Sequence, residues 1–164
     1  APVVNEYAWG STSMTQATGL ANAGTDSETP TPSGANANYW EVDNAIQGPV
    51  RVGSFAGAGR SRRDAGAGFY GALELSGNLW ERPVTVANAE GRAFAGTHGD
   101  GALDASGNAN VVSWPGPSAI GSGFRGGGWH ASDVILRVSD RIFAADADTV
   151  RYGDVGWRGA RTAP

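Results

Sequence analysis

No cysteine occurs among the 164 residues, which removes thiolate nucleophiles, zinc–cysteine sites and disulfides together and leaves the redox compartment undecided. Lysine is absent too: all 12 positions that could be Lys or Arg are arginine, so no Schiff-base lysine exists. Charged residues make up only 17%, and a net charge of −4 offers no basic field for a polyphosphate, so a nucleic-acid partner is not expected. No run of about 18 apolar residues occurs, so no membrane-spanning helix is expected. The opening Ala1-Pro2-Val3-Val4 lacks the basic start and apolar stretch of a signal peptide.

What the sequence has in plenty is glycine, 26 residues, beside 40% hydrophobic residues. That combination predicts one folded domain over residues 1–164 whose backbone turns often, and disfavours long helices. Residues 11–38 are small and polar around Thr29-Pro30-Thr31-Pro32-Ser33-Gly34 and carry no sustained period. Their composition fits an ordered coil or disorder, and the aromatic anchor Tyr39-Trp40 directly after them favours order. Partial alternation over 49–55 predicts a short strand. Residues 69–75 and 79–86 flank the turn Ser76-Gly77-Asn78 and predict a hairpin. Residues 87–122 hold the turn formers Gly96-Thr97-His98-Gly99-Asp100-Gly101 and Ser106-Gly107-Asn108, and further strands are predicted over 123–129, 134–138 and 155–158.

Chemistry-bearing residues are sparse. The two histidines are His98 and His130, and His98 precedes Asp100 in a glycine-rich turn. One His with one Asp is not a metal motif, and no G-x-S-x-G spacing marks a nucleophile.

Several segments nevertheless match a known pattern in order. Phe69-Tyr70-Gly71-Ala72-Leu73-Glu74-Leu75-Ser76-Gly77-Asn78-Leu79-Trp80-Glu81 is similar to the segment GLYDMSGNVWEW of the formylglycine-generating (sulfatase-modifying factor) family. Arg125-Gly126-Gly127-Gly128-Trp129, Leu136-Arg137-Val138-Ser139-Asp140-Arg141 and Gly156-Trp157-Arg158-Gly159-Ala160-Arg161 resemble its RGGSW, LRxxxR and GFRxAR blocks. Upstream, Asn5-Glu6-Tyr7-Ala8-Trp9-Gly10 is similar to its EWEYA and WG elements, and residues 49–55 to its PVGSF strand. The resemblance implies an α+β, C-type-lectin-like fold of short strands among long irregular loops. Trp80, Trp129 and Trp157 are expected to supply buried area, and Gly126 to Gly128 to let backbones approach. The likeness begins in the middle of the family domain, which implies either a fragment or a core completed by another chain.

The family's oxidase activity, as the resemblance describes it, depends on paired cysteines binding copper. Without cysteine that activity is excluded, and no enzyme is expected; the alternative is a non-copper enzyme, or the substrate-binding part of one, in the same superfamily. No cofactor is expected beyond a structural calcium, which the resemblance implies near Asn78 and Glu81, and oxygen ligands suit that ion. The other reading is that Asn78 caps its turn and Glu81 accepts bonds from an arginine.

Between the framework residues of 124–161 the pattern departs from the family, at His130, Ala131, Ser132, Asp133, Val134, Asp140, Ile142, Phe143, Asp148, Thr149, Val150, Tyr152, Asp154 and Val155. This arrangement resembles the variable proteins of diversity-generating retroelements, in which mutated adenines turn Asn codons into many others. With a fixed pyrimidine third base such change cannot reach Lys, Glu, Gln, Met or Trp, and Lys, Glu, Gln and Met are absent from 91–164. The resemblance implies a ligand-binding patch for a protein or glycan on another cell or particle, displayed on a cell surface or virion. Ile142, Phe143 and Tyr152 would be apolar anchors, with Asp133, Asp148 and Asp154 at a polar rim; core packing is the other reading of Ile142 and Phe143. Arg125, Arg137, Arg141 and Arg158 are expected to hold loops through carbonyls and carboxylates.

Overall fold

Short elements joined by tight turns set the architecture. The computed structural model describes residues 3–40, 46–97, 99–111 and 114–157. Its regular structure is β1 (Gly19–Ala21), β2 (Thr29–Thr31), β3 (Trp80–Glu81), the one-turn helix α1 (Ala89–Arg92), a 3-10 turn at Asp133–Leu136 and β4 (Val155–Gly156). The fold is a small α+β arrangement of short strands among loops. Among the described residues no helix is long and apolar enough to cross a membrane.

Residues 11–38 are ordered, and they contain a ribbon where a coil was expected: β1 and β2 pair antiparallel with Leu20 opposite Pro30. Asn22 and Gly24 take left-handed φ between them, and the Thr25 N–H closes on the Asn22 carbonyl at 3.1 Å. Pro30 is tolerated because a two-stranded ribbon has only edge strands.

The hairpin predicted around Ser76-Gly77-Asn78 does not form. Residues 69–75 curl instead, with the Gly68 N–H on the Ala72 carbonyl at 2.8 Å and Glu74 at φ 56. β3 pairs in parallel with β4, Trp80 opposite Val155, while Glu81 bridges antiparallel to Arg125 on its other side. Other predicted strands also give way. Residues 52–55 turn about Gly53, whose φ of 88 breaks an extended run. Residues 133–136 form the 3-10 turn, which sends Leu136 into the core at 1% exposure and leaves Val134 46% exposed. Of 123–129 only the Arg125 bridge remains, while β4 retains the first two residues of its predicted strand.

The main core joins the N-terminal segment to the C-terminal loops: Tyr7, Trp9, Tyr39, Trp80, Phe124, Ala131 and Leu136 pack together. A second cluster gathers Ala17, Ala35, Ile46, Val50 and Phe55. Ser76 joins distant segments of the first, accepting the Ala8 N–H at 3.1 Å and donating to the Leu136 carbonyl at 2.8 Å. Gly77 has φ 90, and a Cβ there would sit 2.6 Å from the Asn38 carbonyl oxygen, so only glycine fits this crossing. Trp80 is buried and Trp129 half-buried, but Trp157 is 86% exposed, against expectation. It lies beyond Gly156, the last residue paired with β3, so the sheet does not carry it over the core.

Candidate ligand-binding cavity

The residues of the C-terminal loops are held through their main chain. The Trp80 N–H donates to the Asp154 carbonyl at 2.8 Å, the Phe124 N–H to that of Phe143 at 2.9 Å and the Trp40 N–H to that of Ala131 at 2.9 Å. The Thr85 hydroxyl donates to the Ala144 carbonyl and an Arg82 Nη to that of Asp148. Arg125 and Arg141 both donate to the Val138 carbonyl, each at 2.7 Å. Charged donors make these bonds stronger than neutral ones. Arg82 also lies over the Phe124 ring, 4.2 Å from its centroid, joining the loop to the core by a cation–π contact.

Between these anchored loops lies an open cavity of about 450 Å³, lined by Trp80 and Phe124 from the core, His130, Ala131, Ser132 and Ile135 beside the 3-10 turn, Phe143, Asp146 and Asp148 from the next loop, and Tyr152, Asp154 and Val155 leading into β4. The Trp80 ring anchors the aromatic part, with Phe143 edge-on at 5.4 Å and Phe124 at 6.2 Å. Asp154 is buried and approaches His130 Nδ1 at 3.4 Å through Oδ2. The Tyr152 hydroxyl donates to Asp148 Oδ2 at 2.6 Å, and Asp148 Oδ1 accepts the Val150 N–H at 2.8 Å. The Tyr152 bond, then the Val150 N–H, hold the Asp148 carboxyl below its ordinary range. The same bond raises the Tyr152 phenol above its ordinary value.

Of the residues singled out by sequence, His130, Ala131, Ser132, Phe143, Asp148, Tyr152, Asp154 and Val155 share this lining. Thr149 and Val150 line an adjoining groove of about 380 Å³ with Arg82 and Arg151. Val134, Asp140 and Ile142 are on neither lining. Ile142 is 67% exposed, which excludes core packing, whereas Phe143 keeps its contact with Trp80. Asp140 Oδ1 accepts the Ile142 N–H within its own turn at 3.2 Å. Asp133 also departs from the expected rim: its carboxylate meets Arg137 at 3.3 Å and the Tyr7 hydroxyl at 3.4 Å. His98, Arg158 and Arg161 lie outside the described residues.

No protein-family model matches the chain. Neither a curated protein nor a solved structure matches it.

The Asn78 and Glu81 pair does not fit a calcium site. Asn78 is buried, its Oδ1 accepts the Val50 N–H at 2.8 Å and its Nδ2 donates to the Val50 carbonyl at 3.0 Å, so its oxygen faces a donor. Among the described residues no three His, Cys, Asp or Glu side chains gather as metal ligands.

Arg82, Asp146 and the wall residues Trp80, Phe124 and Ile135 were not picked out as site residues from sequence. Arg82 had a signal: it stands two residues after Trp80 in an extended segment, so the two share a face.

Proposed function

We propose that the chain is a non-catalytic binding protein whose cavity is the ligand site, on a C-type-lectin-like scaffold akin to the formylglycine-generating family and diversified at its C-terminal loops as in retroelement variable proteins. One observation carries this reading. The scaffold grips these loops at the carbonyls of Ala131, Val138, Phe143, Ala144, Asp148 and Asp154. A carbonyl is the same whatever side chain it accompanies, so the lining can be rewritten without cutting the bonds that position it. A fixed frame with exchangeable side chains is what a diversified binding surface requires.

The test is to sequence the DNA around the codons for residues 124–161 in the source genome. A near-copy differing only at adenines, beside a reverse-transcriptase gene, supports the reading and marks the diversified positions. Absence of any such copy removes the diversification and leaves an invariant cavity.

A further inference from the structure

We propose that the cavity takes a cation, namely an arginine side chain presented by a partner protein, with its guanidinium among Asp146, Asp148 and Asp154 and its stem and flat face against Phe143 and Tyr152. This deepens the binding-site reading above and rests on it.

Charge is the first argument. The charged side chains on the lining are three aspartates and His130, and no arginine is among them. Arg82 and Arg151 line the adjoining groove instead. Asp154 has its carboxylate beside His130, but Asp146 and Asp148 belong to the exposed loop and have no arginine or histidine side chain within ion-pair distance among the described residues. Arg82 reaches the Asp148 main-chain carbonyl and, after the Tyr152 and Val150 bonds, helps to lower the Asp148 carboxyl from the side of the groove, so the cavity keeps a net negative lining that a cation from outside would complement.

Hydrogen-bonding capacity points the same way. An ionised carboxylate offers about four acceptor sites and no donor. Asp148 uses part of this capacity on Tyr152 and Val150, and Asp146 Oδ1 accepts the Asp148 N–H at 3.0 Å. The Tyr152 proton is committed to Asp148, so the phenol adds no free donor to the cavity. The Ser132 hydroxyl, the Trp80 indole and the His130 imidazole also carry donors, but the fixed negative charge of the lining lies on its three carboxylates. A guanidinium has donors only, in a planar fork that matches carboxylates and stacks on aromatic faces. A sugar hydroxyl could use the donors and acceptors but would leave the negative charge uncompensated. Phe143, 36% exposed, and Tyr152, 48% exposed, supply the ring surface that a cation with an apolar stem would use.

The experiment titrates the full chain with Nα-acetyl-arginine amide and, separately, Nα-acetyl-citrulline amide, which has nearly the same shape without the charge. Binding is followed by NMR at the Trp80 indole and the amides of Ser132 and Tyr152. The arginine probe should shift these signals and bind about tenfold tighter than citrulline. Its affinity should fall with added salt and fall again in Asp146→Asn/Asp148→Asn, whose melting midpoint is measured alongside to confirm folding. Equal binding of the two probes overturns the cation while leaving the cavity as a binding site. So does a shift of the same signals by methyl α-mannoside or methyl β-galactoside without one from arginine. If no probe moves them, the cation inference falls, and the binding reading rests on the template copy alone.

Discussion

Asn78 pairs with Val50 as a neighbouring strand would, accepting its N–H at 2.8 Å and donating to its carbonyl at 3.0 Å from one side-chain amide. The residue is buried, and its main chain continues the junction, with its N–H on the Asn38 carbonyl and its own carbonyl accepting the Trp129 N–H, both at 2.8 Å. Replacing Asn78 with Ala leaves both polar groups of Val50 unpaired, and should lower unfolding free energy by about 2–4 kcal/mol in a denaturant titration. Asn78→Asp keeps the acceptor, loses the donor and buries a charge, so it should destabilise as well.

Metal removal gives a separate check. Because the Asn78 oxygen is committed to Val50, the melting midpoint should be the same in excess chelator and in millimolar calcium. A rise with calcium would show that the folded chain binds the ion, and its loss in Asn78→Ala would place that site at this side chain.

Arg125 and Arg141 converge on the Val138 carbonyl. Either one alone can satisfy it, so each single Ala variant should cost about 1 kcal/mol at this exposed site. The double variant should cost more than the sum of the two, by about 0.5 kcal/mol or more in a double-mutant cycle. Strict additivity would show that the arginines act independently.

The Tyr152–Asp148 bond makes a signed prediction about pH. The Asp148 carboxyl is held low in the folded chain, so its contribution is present above the ordinary carboxylate range, about 4, and is lost as pH falls through the folded value. The Tyr152 phenol is raised, so its contribution is complete below about 10 and is lost as pH rises through the folded value. NMR titration should place Tyr152 ionisation above the ordinary phenol value, and Asp148→Asn should bring it down while leaving Tyr7, whose own rise comes first from burial, unchanged.

How much of this could be read beforehand depended on distance along the chain. The turn at Ser76-Gly77-Asn78 and the final strand were legible because glycine, asparagine and β-branched residues act locally. The partner of β3 was not: the adjacent segment looked suitable, but the pairing residues are Val155 and Gly156, and nothing local encodes that choice. Val134-Ile135-Leu136 had the composition of a strand, yet burying Leu136 against Tyr7 and Tyr39 favoured a tight turn. For the cavity, family resemblance marked much of the lining, and composition alone would not have gathered His130, Phe143 and Tyr152 in one place. Asp133 has the same chemistry as Asp148, and only the position of Arg137 and Tyr7 separates a structural carboxylate from one on the cavity.

The parallel pairing of β3 with β4 also sets an order of events during synthesis. Trp80 and Glu81 leave the ribosome long before Val155 and Gly156, which complete their sheet. Until then one edge of β3 is bare and the apolar cluster around Trp80 lacks the cover of Val155. The nascent chain therefore carries an unfinished centre while residues 82–154 are made, and its safe passage depends on whatever shields that centre until the closing strand emerges.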